Sequence, residues 1–194
     1  MAGAAPARRA RARPRPQAAA AGPGAAAGAA APILPRVAAA LGSPGGRAGE
    51  PWRLQAARLW RRWSSGPDPG LLLAPAPSVL AHGDPSPANY LWDGRRVVLV
   101  DFEDAGWRDR AVELADLVEH AQSRNTPAAA WGRVLDRLGL DGRERARHRA
   151  ARRLFGLFWL FWLTLLDRPG ADLSPAAQLE RVGGLLAGDD GYCR

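Results

Sequence analysis

Asp84, Asn89 and Asp101 are the residues of this chain whose types and spacing could do chemistry. Asn89 follows Asp84 by five residues, and Asp101 follows Asn89 by twelve. An aspartate can accept a hydrogen bond from a substrate hydroxyl and take its proton. An amide oxygen and a second carboxylate are hard ligands of the kind Mg²⁺ takes alongside waters and phosphate oxygens. Together they meet the needs of phosphoryl transfer, which asks for a hydroxyl held in line and for negative charge neutralised as it moves between oxygens. His82, two residues before Asp84, is read as a brace for the loop rather than as a chemical group, because Gly83 and the prolines nearby already imply a fixed turn.

A hairpin has to position these groups. Tyr90-Leu91-Trp92 and Val97-Val98-Leu99-Val100 flank Asp93-Gly94, a pair that favours a two-residue hairpin turn. Asn89 begins the first strand and Asp101 follows the second, so both are expected at the open end beside Asp84. With the turn centred between 93 and 94, Asn89 lies opposite Val98 and Asp101 faces the other side. A bend leaving the second strand is therefore required to bring them together.

Around the hairpin the periodicity is helical. Leu54, Ala57, Leu59, Trp60 and Trp63 predict an amphipathic helix over Trp52 to Trp63, ended by the Ser/Gly/Pro cluster of residues 64–70. Leu71 to Leu80, broken by Pro75 and Pro77, delivers the chain to His82. Further helices are predicted over Arg110 to Ser123, Ala128 to Leu138 and Arg143 to Leu166, and from Ser174-Pro175 onward. The fold class expected is α+β, mainly helical, around one hairpin.

Composition narrows the field. The formal charge is +8, but residues 1–49 hold seven arginines and no acid, whereas residues 50–194 hold twenty arginines against nineteen acids. The basicity belongs to the first segment, so it gives the body no claim on a nucleic-acid partner. Residues 1–50 are Ala/Gly/Pro/Arg-rich and are expected to form a disordered tail, with a folded unit over 51–194. The apolar run Leu154 to Leu166 falls short of the ~20 residues needed to cross a bilayer, and no membrane association is expected. A single cysteine, Cys193, makes no internal disulfide and fits a cytoplasmic setting.

The stretch from Leu80 to Gly106, with His82-Gly83-Asp84, Asn89 and the hydrophobic strand ending in Asp101-Phe102-Glu103, closely resembles the catalytic region of the aminoglycoside phosphotransferase and choline kinase superfamily. The resemblance implies the C-terminal lobe of a protein-kinase-like fold, ATP and Mg²⁺ as cofactors, and a small-molecule hydroxyl acceptor. It makes Asp84 the catalytic aspartate and Asn89 and Asp101 the metal ligands, carried on the hairpin. Glu113-Leu114-Ala115-Asp116 looks like the family's acidic helix start that anchors the catalytic loop, with either acid eligible. Ser86 departs from the histidine many members carry. Members also carry a nucleotide-binding lobe with a strand lysine. Here residues 51–81 alone separate the tail from His82, and all 27 basic residues are arginine. An N-terminally truncated kinase is therefore expected, with a catalytically inactive remnant, at most a binding or interaction module, as the alternative.

Other readings are weaker. A metal hydrolase built on His82, Asp84, Asp101 and His120 lacks a recognised ligand spacing, and His120 reads as a helix-surface histidine. Trp159 and Trp162 lie inside an apolar run and read as core rather than as a base-stacking surface. Glu103, Asp104 and Asp109 read as solvated loop acids.

Overall fold

The structure is a computed structural model that describes residues 25–26, 33–41, 51–163, 174–189 and 191. Its axis is helix α6 (Gly142–Leu163), which buries Arg147, His148 and Arg152 in its charged half and Leu154, Leu157 and Leu160 in its apolar half. A helix buried on several sides must be surrounded. Helices α1 (Leu34–Leu41), α2 (Pro51–Ser64), α3 (Asp68–Leu73), α4 (Arg110–Glu119) and α7 (Pro175–Ala187) all pack against it. Their shared core includes Val37, Trp63, Leu72, Val112, Ala115 and Val182. Gly156 lets α6 and α7 approach closely, since a Cβ there would stand 3.1 Å from a Val182 methyl. Helix α5 (Ala128–Leu138) adds Leu135 to a smaller cluster with Ala111 and Leu140.

Charge is buried with its partner. Arg147 of α6 bonds Asp109 at 2.6 Å, just before α4, and reaches back to the carbonyl of Leu71. Glu119, fully buried at the end of α4, takes Arg152 of α6 at 2.7 Å and Arg181 of α7 at 2.5 Å. These pairs tie α4, α6 and α7 into one body. His148 belongs to the same interior: it faces the Ala111 carbonyl at 3.2 Å, and burial brings its pKa down to about 4.

The mainly helical α+β expectation holds, and the helices that were predicted fall close to their spans, whereas α3 was not predicted and lies across the cluster expected to end α2. Ser174 caps α7 through the Ala177 amide, with Pro175 at the first position. Helix α4 stops at Glu119 rather than running to Ser123, because His120 turns extended and Ala121–Ser123 forms a separate 3-10 turn, η3. Within the stretch expected to be tail, Leu34–Leu41 is helical and Val37 is fully buried. Apart from Ala25–Ala26 and 33–41, residues 1–50 lie outside the described residues, as do 164–166 and Cys193. No described helix is long and apolar enough to cross a membrane.

Two small antiparallel sheets carry the rest. Strand β2 (Ala76–Ala81) lies between β1 (Ala25–Ala26) and β5 (Gly106–Asp109). Pairing of β2 with β5 runs from Ser78↔Asp109 to Ala81↔Gly106, and so closes the base of the excursion 82–105. Strand β2 was not expected across Pro77. That proline is level with Ala25 of β1 and precedes the part of the ladder shared with β5, so its missing N–H costs the β5 pairing nothing.

The hairpin pairs β3 (Tyr90–Trp92) with β4 (Val97–Leu99) in the register Tyr90↔Leu99, Leu91↔Val98, Trp92↔Val97. The expected register is two residues out. The Asp93 amide bonds the Arg96 carbonyl at 3.2 Å, leaving Gly94 and Arg95 as the two loop residues, with Gly94 at φ +96°. Glycine therefore takes the first loop position, while the Asp93 carboxylate accepts from the amides of Arg95 and Arg96 at 2.8 and 2.9 Å. The shift sets Asn89 level with Val100, whose amide donates to the Asn89 carbonyl at 3.1 Å.

Candidate active site

Strand β2 ends at Ala81 and hands the chain to His82, which is buried. Its Nε2 meets the Val100 carbonyl at 2.7 Å, so Nε2 carries the proton and donates, and its ring rests 4.8 Å from that of Phe102. His82 thus ties the start of the loop to the end of β4, as a brace would.

Gly83 is forced by its surroundings. It sits at φ +82°, and a Cβ there would stand 2.0 Å from the Asp104 carbonyl oxygen and 2.9 Å from the Arg108 guanidinium. Its amide donates to Glu113 Oε1 at 3.0 Å, which identifies Glu113, rather than Asp116, as the acid that anchors the loop. Arg108 bonds the Asp104 carbonyl at 2.9 Å.

Asp84 follows, partly buried. Asn89, buried, is the last residue of a second 3-10 turn, η1 (Pro87–Asn89). Its Nδ2 donates to the Asp84 carbonyl at 3.0 Å and to the Asp84 carboxylate at 3.3 Å. The donor end of the amide is committed to Asp84, so Oδ1 is the end left to meet a cation.

Asp101 provides the bend that was expected if Asp101 and Asn89 are to meet. At φ 65° and ψ 58° it is the one non-glycine residue among those described with positive φ. The reversal leads into the turn η2 (Phe102–Asp104) and then to β5. Val100, immediately before it, is held through its amide by Asn89 and through its carbonyl by His82. These two bonds bring Asp101, which is exposed, to the same end of the hairpin as Asn89 and Asp84.

Three further groups share this neighbourhood: Asp116 and His120, read from the sequence in other roles, and Tyr90, read only as part of a strand. Burial first, then the negative charges of Glu113 and Asp84, with Arg108 opposing, push the Asp116 carboxyl up to about 8. At neutral pH it is mostly protonated, which removes one negative charge from beside Asp84. Tyr90 is raised by burial and then by Glu113, Asp116 and Asp84. His120 is lowered by burial, with Asp84 opposing, and stands edge-on to Trp159 with ring centres 5.2 Å apart. It is half-buried beside the site, not a free helix-surface residue, and Trp159 backs it. Their influence on Asp84 could not be read from spacing; the fold brings them against the loop.

Among the described residues no three His, Cys, Asp or Glu side chains gather as a metal cage, so a hydrolase centre on His82, Asp84, Asp101 and His120 is not assembled. An amide and a carboxylate oxygen suit instead a hard cation that keeps several waters.

A family model described as the phosphotransferase enzyme family matches residues 2–155. The match starts well before the residues that carry the resemblance and ends within α6, short of α7. No curated protein and no solved structure matches the chain.

Proposed function

The chain belongs to the phosphotransferase enzyme family, and from that premise we propose that it is a small-molecule kinase, transferring a phosphoryl group from ATP to a substrate hydroxyl with Mg²⁺. The reading includes the C-terminal lobe of a protein-kinase-like fold, with the hairpin presenting the metal ligands. The observation that carries it is the bond from Asn89 Nδ2 to Asp84, which sets a candidate base and a candidate ligand side by side.

Asp84 accepts the hydrogen bond of the acceptor hydroxyl and takes its proton as the new bond forms. Asn89 Oδ1 and the Asp101 carboxylate hold Mg²⁺, which when bound neutralises charge on the phosphate oxygens. Glu113 fixes the turn from which Asp84 projects by accepting from the Gly83 amide. His82 holds the Val100 carbonyl and with it the approach to Asp101. Asp116, neutral near pH 7, spares the site one repulsive charge.

A second reading, an inactive module that binds a partner, is favoured by one observation: the apolar residues of both hairpin strands, Trp92 at 64 % among them, are exposed. Phosphotransfer with Mg²⁺ and a panel of amino- and hydroxyl-bearing acceptors separates the two. The kinase reading expects turnover that falls about 10²–10⁴-fold in Asp84→Ala, the loss typical of removing a positioned base. No turnover and no ATP binding at millimolar nucleotide would sink it in favour of the module.

A further inference from the structure

Gln122 lies 33 residues beyond Asn89, is exposed, and belongs to a three-residue turn. We propose that Gln122 is a positioning residue: its carboxamide oxygen caps the turn η1 from outside and thereby aims Asn89 at Asp84. The part of this that concerns a metal ligand rests on the kinase reading above.

The first amides of a helical turn have no partner within the turn and need one from elsewhere. In η1 the first residue, Pro87, has no N–H, so the orphan donor is the Ala88 amide. The residue before the turn, Ser86, would ordinarily cap it with its hydroxyl, but Ser86 makes no such bond. Both donors turn instead to Gln122: the Ala88 amide lies 3.2 Å and the buried Ser86 hydroxyl 3.3 Å from Gln122 Oε1. The Ala88 amide can only donate, which fixes the oxygen end of the carboxamide toward the loop.

Gln122 can do this because its own turn is anchored. Its amide donates to His120 Nδ1 at 3.2 Å, and the Ser123 hydroxyl donates to the Leu117 carbonyl at 2.6 Å. Arg124, next along, bonds Gln178 of α7. An exposed glutamine would ordinarily lose much of its rotamer freedom for little return. Here one oxygen satisfies two donors that flank Pro87, the first residue of η1, and η1 has a single turn in which to transmit the constraint.

The acceptor is what matters, so Gln122→Glu keeps it and Gln122→Met removes it at similar length. The full chain carries only two asparagines, Asn89 and Asn125, so their side-chain NH₂ signals are separable by NMR, with Asn125 as an internal control. In Gln122→Met the Ala88 amide is expected to exchange about five- to tenfold faster, as loss of one hydrogen bond predicts, and the Asn89 NH₂ signals to move. Mn²⁺, used as a probe for Mg²⁺, is expected to bind several-fold more weakly, and Gln122→Glu is expected to restore all three readouts. Unchanged Ala88 exchange and Asn89 signals in Gln122→Met would overturn the proposal, as would equal changes in Gln122→Glu. Mn²⁺ bound equally by wild type and Gln122→Met, with Ala88 responding, would overturn the link to the metal ligand. If Ala88 and Asn89 respond but the wild-type chain binds no Mn²⁺, the positioning role stands and the kinase reading falls.

Discussion

The hairpin and the helical clamp beneath it hold the two halves of one site by opposite means. In the clamp, α4, α6 and α7 are joined by buried ion pairs, and Glu119 and Arg152 are removed from water. In the hairpin, Leu91, Trp92, Val97, Val98 and Leu99 are exposed, and contact with the body is felt at Tyr90, at the open end, whose pKa burial and Glu113 raise. An isolated two-stranded hairpin is marginally stable in water. This one is held at its open end, where His82 and Asn89 grip Val100. The difference teaches that the geometry of Asp84, Asn89 and Asp101 is set from below, by Glu113, Gln122 and the β2–β5 base, while the tip contributes little. Substitutions should therefore be graded by their distance from the clamp.

Gly83→Ala should have the largest effect. The new methyl would meet the Asp104 carbonyl, a backbone atom that cannot swing aside, in a backbone conformation that alanine disfavours. The expected cost is about 4–5 kcal/mol, at the upper end for single substitutions, read by chemical denaturation. A loss under ~1 kcal/mol would show that the loop is looser than its clamp and would break the contrast.

Glu119→Ala comes next. Removing the carboxylate takes from Arg152 its buried ion-pair partner, and breaking such a pair costs about 3–4 kcal/mol. Part of Arg181 reaches solvent and adds less. Because Glu119 immediately precedes His120 and η3, the variant should also loosen the Gln122 cap, measurable as faster exchange at Ala88. Lost stability with unchanged Ala88 exchange would mean that the clamp and the loop are not coupled through η3.

How much of this was legible depended on range. Asp84, Asn89 and Asp101 could be found because the chemistry fixes their residue types and a hairpin fixes their separation, both local matters. A bend near Asp101 could be expected only from the function, because a straight strand would turn Asp101 away from Asn89; its left-handed form was not legible. The register could not: Asp93 resembles a first turn residue, yet its carboxylate caps the turn and passes the loop positions to Gly94 and Arg95. Glu113 over Asp116, and Gln122 at all, were invisible because each acts across about thirty residues through a fold the pattern does not encode. Strand β5 was missed because Gly106-Trp107-Arg108-Asp109 has no apolar alternation; it is a strand only because β2 lies beside it.

A smaller effect should appear in pH dependence at the clamp's edge. The folded chain holds the Asp116 proton up to about 8, whereas the unfolded chain releases it near the ordinary value of 3.8. Between those values the folded state binds more protons, so stability is highest below the lower value and declines as pH rises to the upper one. Asp116 retains partial contact with solvent, so the decline should be on the order of 2 kcal/mol rather than the full linkage figure. Asp116→Asn should flatten it, as read from denaturation midpoints between pH 4 and 9. Parallel curves for the two proteins would remove Asp116 from the account of charge around Asp84.

The smallest stability effect, and the sharpest division between holding the fold and doing the chemistry, is expected at Asp101→Gly. Asp101 adopts a left-handed conformation that costs a non-glycine residue roughly 1 kcal/mol or more. Glycine relieves that strain but gains freedom in the unfolded chain, so the two terms nearly offset and stability should be unchanged or rise by up to about 1 kcal/mol. Binding of Mn²⁺ and phosphotransfer should nonetheless fall, because the carboxylate is gone while the bend remains. Asp101→Asn should keep the bend with one ligand oxygen and lie between them. If Asp101→Gly instead lost stability and kept its metal, the strained residue would be serving the turn into β5, and the hairpin would join the clamp as scaffold rather than as the bearer of a ligand.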